Sequence, residues 1–172
     1  MLVQLTVDVG MSPQEYGEGF REVVWPVLEE CPSCYARARL HGHGWYARNG
    51  LPSWECTLRL MIRRLLCPVC EQTVSLLPSF LLPRFQYTVE FIVKALLGMV
   101  KSYRELLRFY WRRWLGNANR VLAALRDLGI QKSLPSDVKA RAMKLLESIE
   151  SFGVERFSLL FQRRFCRGFM AV

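Results

Sequence analysis

Two short cysteine pairs constrain this chain more than anything else in it. They are Cys31-Pro32-Ser33-Cys34 and Cys67-Pro68-Val69-Cys70, the same C-P-x-C written twice with 32 residues between. Each C-x-x-C folds back as a tight knuckle that aims both sulfurs at one point. Four thiolates about 2.3 Å from a common centre make a closed tetrahedral site, which suits one structural zinc ion and leaves no open position for catalysis. The expected ligands are Cys31, Cys34, Cys67 and Cys70, and the expected cofactor is Zn2+. A thioredoxin-like redox motif would use one pair and leave the other unexplained. A secreted disulfide framework would need an export signal, and "MLVQLTVDVG" has neither a basic start nor a long apolar core. An iron–sulfur cluster takes the same ligands and stays open as an alternative, less common at this spacing.

Between the knuckles, period-two alternation predicts β-structure. Arg37, Arg39, His41 and His43 alternate with Ala38, Leu40 and Gly42; Trp54, Cys56, Leu58, Leu60 and Ile62 alternate with Glu55, Thr57, Arg59, Met61 and Arg63. Asn49-Gly50 is a strong turn signal between the two runs, predicting a β-hairpin. A third strand is expected at residues 72–76, followed by a Pro-punctuated extended linker, "LLPSFLLPRF". His41 and His43 are redundant as metal ligands beside four cysteines and belong to the polar strand face. Cys56 and Cys166 read as small buried hydrophobes.

The remainder predicts helices. One runs from Thr88 to a stop at Gly98, and a second follows Ser102 as N-cap with Leu106, Leu107, Tyr110 and Trp114 on one stripe. Asn117 is expected to start another that Gly129 closes, Ser136 to cap the next, and residues 154–165 to form the last. The fold class is thus α+β: a small four-cysteine ribbon followed by an α-helical bundle. Three segments result: an acidic one at 1–30, the ribbon with its linker at 31–83, and a helical domain at 84–172.

Charge supports a function. The net charge is +9, yet residues 1–30 carry one Arg against six acids, while 31–70 carry six Arg against one Glu. Residues 84–120 carry eight basic side chains against two acids. Such a basic footprint over the metal module and the segment after it is what nucleic-acid binding requires. The candidate contacts are Arg37, Arg39, His41, His43, Arg48, Arg59, Arg63, Arg64, Arg104, Arg112 and Arg113. A merely solvated basic face and an anionic membrane surface are the competing readings. The longest uncharged run, residues 72–83 with two prolines, is too short for the roughly 18 residues that span a bilayer. No membrane partner and a cytoplasmic location are expected.

The run "CPSCYARARLHGHGWYARNG…LMIRRLLCPVCEQTVSLLPSFLLPRFQYTVEFI" resembles the N-terminal zinc-ribbon domain of bacterial insertion-sequence transposases, and short transposase-like proteins of mobile elements. The likeness covers roughly residues 25–115. In that family a helix-turn-helix follows the ribbon and ends in an R-W-L recognition element, to which "WRRWL" at 111–115 is similar. The resemblance implies mobile-element DNA as the partner. Three departures accompany it. Tyr35 and Glu71 stand where a glycine usually follows each knuckle, "SYRELLRFY" runs into "WRRWL" without a turn, and no catalytic domain is present. With three aspartates and no Gly-rich phosphate loop or nucleophile triad, the chain reads as a non-enzyme that binds DNA. The alternatives are a module that binds a protein such as a transposase or polymerase subunit, and a decayed element remnant.

Overall fold

A computed structural model describes residues 3–130 and 133–171. The chain is α+β, with one four-stranded mixed sheet and five helices among the described residues, and divides into two units, residues 1–86 and 87–172.

The first unit is built on strands β1 (Val3–Val7), β2 (His41–Gly50), β3 (Leu58–Leu66) and β4 (Thr73–Pro78), in the spatial order β1-β4-β3-β2. Strand β1 lies parallel to β4, while β2–β3 and β3–β4 are antiparallel. The acidic N-terminal segment is therefore part of the sheet unit. It also supplies α1 (Pro13–Gly19), which opens on a capping box: Ser12 Oγ accepts from the Glu15 amide, and the Ser12 amide donates to Glu15 Oε2 at 2.8 Å.

The sheet separates two apolar clusters. Paired residues share a face, so the register assigns Leu60 and Ile62 to one side, with Leu77, Tyr16, Phe80 and Leu81. The Tyr16 hydroxyl donates to the Met61 carbonyl at 2.5 Å, pinning α1 to β3. Leu65 and Cys67 lie on the other face with Cys31, Leu40, Val74 and Leu76. The alternation in "LRLMIRRLL" thus feeds both cores, because Leu60 and Ile62 are even-numbered and Leu65 and Cys67 odd-numbered.

Asn49 and Gly50 do not form the hairpin turn. Both belong to β2, paired with Arg59 and Leu58, and the connection runs through residues 51–57. Gly50 is kept small by packing: a Cβ there would stand 2.4 Å from Leu60 Cδ1. Gly50→Ala is expected to destabilise the sheet unit by about 1–3 kcal/mol, the usual cost of overpacking. A urea titration checks this, and an unshifted midpoint would refute the packing account. The expected linker is not a linker either. Strand β4 runs to Pro78, and Phe80, Leu81 and Leu82 are buried.

The second unit comprises α2 (Val89–Leu96), α3 (Arg104–Asp127), α4 (Val138–Phe152) and α5 (Val154–Phe165). Thr88 caps α2, its hydroxyl accepting from the Phe91 amide, and Gly98 ends the turn with φ 74°. Tyr103, not Ser102, is the N-cap of α3, and Asp137, not Ser136, caps α4 through a 2.7 Å bond from the Ala140 amide. No helix starts at Asn117. The buried positions Tyr110, Trp114, Asn117, Val121 and Leu125 continue one stripe, so the helix runs on through Gly116-Asn117. Asn117 Nδ2 donates to the carbonyls of Arg113 and Ala171 instead of capping. "WRRWL" therefore lies inside one 24-residue helix, with no turn before it.

Trp114 is the centre of this core. It is 0% exposed, its Nε1 donates to the Ala142 carbonyl at 3.2 Å, and its ring meets Phe169 edge-on at 6.1 Å. Among the described residues, no helix is long and apolar enough to cross a membrane.

Candidate metal centre

The two cysteine loops have matching backbones. In the first, the Cys31 carbonyl accepts from the Tyr35 amide at 2.8 Å and the Cys31 amide donates to Ala36 at 3.0 Å. In the second, Cys67 makes the same pair of bonds with Glu71 at 3.0 Å and Gln72 at 3.1 Å. The amides of Ser33 and Val69 each point at the first sulfur of their own loop, at 3.4 Å. Tyr35 and Glu71 sit at φ 58° and 56°. These are the left-handed positions at which glycine costs least, so each loop carries a conformational penalty that a structure must hold in place.

The loops bring four sulfurs together. Cys31 Sγ lies 3.8 Å from Cys70 Sγ and Cys34 Sγ 3.9 Å from Cys67 Sγ, with all four within 4.8 Å of one another. A tetrahedron with metal–sulfur bonds of about 2.3 Å has sulfur–sulfur edges of about 3.8 Å, so the donor set fits a bound metal ion. The four thiols are unbonded to each other. Cys31 and Cys67 are buried in the apolar cluster behind the sheet, Cys70 is half-buried and Cys34 is exposed. The site is thus fastened to the core on one side and reaches the surface on the other.

Electrostatics favour a cation here. The Cys70 amide, with help from Val69 and neighbouring sulfurs, lowers the Cys67 thiol to about 7 against the resistance of burial. The Gln72 amide pulls the Cys70 thiol down, but burial and the sulfurs of Cys34, Cys67 and Cys31 outweigh it and push it up to about 12. Sulfurs this close share protons because their negative charges repel, and a metal ion removes that conflict. Neither His41 nor His43 belongs to the sulfur cluster; both are exposed on β2. Cys56 is half-buried. Cys166, expected to be buried, is exposed at the end of α5.

The predicted nucleic-acid contacts fall into two groups. Arg37, Arg39, His41, His43, Arg59, Arg104 and Arg112 are exposed. Arg37 and Arg39 precede β2, so they do not share a hairpin face with Arg59 and Arg63, and Glu29 and Glu30 line the same shallow cleft. The others are engaged within the fold. Arg48 Nη2 donates to the carbonyls of Leu82, at 2.8 Å, and Phe85, while burial works against its charge and Tyr46 partly restores it. Arg63 lies 5.6 Å over the Trp45 ring and Arg64 5.9 Å over Tyr46. Arg113 reaches the Met170 carbonyl and lies 4.5 Å over Phe109. Alternation could not separate these groups, because an arginine stem packs on apolar surface as readily as it projects into water.

No curated protein and no solved structure matches this chain. One family does match, over residues 31–114, and its description is "Domain of unknown function (DUF6431)". The match opens on Cys31 and ends on Trp114, taking in both cysteine loops, strands β2 to β4, α2 and the first half of α3. Just under half of the chain is therefore similar to that domain.

Proposed function

We propose that the chain is a zinc-organised DNA-binding protein related to insertion-sequence transposases, without catalysis of its own. The observation that carries this reading is the cluster of four sulfurs within 4.8 Å of one another, whose first loop runs directly into the exposed side chains of Arg37, Arg39, His41 and His43. Zinc is the metal of choice for four thiolates at these edges, and it would tie the loops to the sheet. Held that way, Arg37 and Arg39 stand on a fixed frame, where they can neutralise backbone phosphates. Arg112, on the exposed side of α3, offers a second contact.

The test is the salt dependence of binding to random duplex DNA. Replacing Arg37 and Arg39 together by Ala should flatten the slope of log K against log salt by about 1.8, at roughly 0.9 for each phosphate no longer neutralised. An unchanged slope would move the loops to a second reading, in which they bind a protein such as a transposase or polymerase subunit. The exposed apolar side chains at the two loops, Tyr35 at 74% and Val69 at 62%, favour that alternative.

A further inference from the structure

The face of the sheet that carries Leu60 and Ile62 also carries a polar cluster, separate from the DNA contacts proposed at Arg37, Arg39 and Arg112. The register aligns Gln4, Ser75 and Arg64 in one row across β1, β4 and β3. Ser75 is fully buried, and among the described residues neither its Oγ nor Arg64 Nε has a hydrogen-bond partner. Gln4 and Tyr46 stand on opposite edge strands, yet Gln4 Nε2 comes within 3.5 Å of the Tyr46 hydroxyl. The sheet therefore curls towards this face.

Where Gln4 and Tyr46 reach the surface a cleft of about 400 Å³ opens, lined by these two and by Arg48, Asn49, Arg84 and Gln86 with Phe85; Ser75 and Arg64 do not line it. None of these residues is acidic. Neither Arg48 nor Arg84 forms an ion pair among the described residues. Arg48 is fixed by the carbonyls of Leu82 and Phe85, so its guanidinium is held in place before any ligand arrives. Arg84 keeps a left-handed backbone, φ 68°, at a position where glycine would cost less. Two uncompensated guanidiniums with a phenol and side-chain amides offer more donors than a carboxylate's two oxygens can use. Their charge matches a phosphate monoester, which carries about −1.5 to −2 at neutral pH.

We propose that this cleft binds a phosphate monoester, gripped by Arg48 and Arg84 with Tyr46 and Asn49 as further donors. The cleft lies within the size range of small-molecule sites, roughly 300–1,000 Å³. The monoester can be a free nucleotide-sized molecule or the 5′-phosphate end of a nucleic acid. The proposal stands apart from the backbone binding assigned to Arg37 and Arg39.

Titration of the 172-residue chain, purified with zinc, with defined probes tests it. The probes are a nucleoside 5′-monophosphate, the same nucleoside without phosphate, and one oligonucleotide with a 5′-phosphate or a 5′-hydroxyl. The monophosphate, or the 5′-phosphorylated strand over its 5′-hydroxyl twin, should bind in preference by roughly tenfold or more, as the loss of charge-assisted bonds implies. Preference for the small molecule assigns the cleft to a free ligand; preference confined to the strand assigns it to nucleic-acid ends. Arg84→Gln, at an exposed position, should remove most of that preference without changing metal content or melting, and Arg84→Lys should restore part of it. Tyr46→Phe should weaken binding less. No saturable binding of either phosphorylated probe, equal binding of their unphosphorylated partners, or wild-type affinity in Arg84→Gln would overturn the proposal.

Discussion

Chelating the metal is expected to disorder the sheet unit and to leave most of the helical far-UV signal in place. Cys31 and Cys67 are fully buried in the cluster formed by Leu40, Leu65, Val74 and Leu76, so the loops and that core share atoms. Removing the cation leaves four thiols crowded within 4.8 Å of one another, with Tyr35 and Glu71 still held in left-handed conformations. Structural zinc contributes on the order of 10 kcal/mol to the folding of small modules. That is comparable with the whole stability of a typical domain, about 5–15 kcal/mol. The helices α2 to α5 have a core of their own around Trp114, Phe157, Phe161 and Phe169, which contains no metal ligand. Metal analysis decides the stoichiometry. About one zinc per chain should be retained in Cys56→Ser and Cys166→Ser and lost in Cys31→Ser, Cys67→Ser and Cys70→Ser. Metal-free protein whose sheet unit melts like the untreated protein would refute the assignment.

Much of the metal centre was legible in the sequence because its geometry is local. A C-x-x-C loop fixes its own shape over five residues, so the spacing pointed to four sulfurs converging, and the left-handed backbone found at Tyr35 and Glu71 falls where the resembled family usually has glycine. Helix α2 was equally local, with Thr88 and Gly98 marking its ends. Non-local pairing was not legible. Nothing in "VQLTV" says that it lies parallel to β4, some 70 residues on, and the register is set by which faces are buried. Asn49-Gly50 shows the limit of turn chemistry. The pair is compatible with a strand, and the buried contact of Gly50 with Leu60 outweighs its turn preference. The basic side chains were the least legible. Arg48 and Arg37 look alike in a charge count, yet one holds two carbonyls inside the fold and the other is exposed.

Trp114→Ala is expected to unfold the helical unit while leaving the metal centre loaded. Replacing a buried Trp by Ala costs about 3–5 kcal/mol through reduced burial and the cavity left behind. Here the same change strips the Ala142 carbonyl of its indole donor and the Phe169 ring of its edge-on neighbour. The loss is large against the stability of a four-helix unit of this size, so the far-UV helical signal should fall at temperatures where the wild type is folded. Metal content should not change, because Trp114 lies in the helical unit and the sulfurs in the other. Arg112→Ala sets the contrast. Its side chain is exposed, so its replacement should shift stability by no more than about 0.5 kcal/mol. Together the two variants divide "WRRWL" by physics. Trp114 serves the core, and any binding to DNA falls to Arg112, whose replacement should weaken it without touching the fold. If Trp114→Ala melted like the wild type, the indole would not be the keystone of this core.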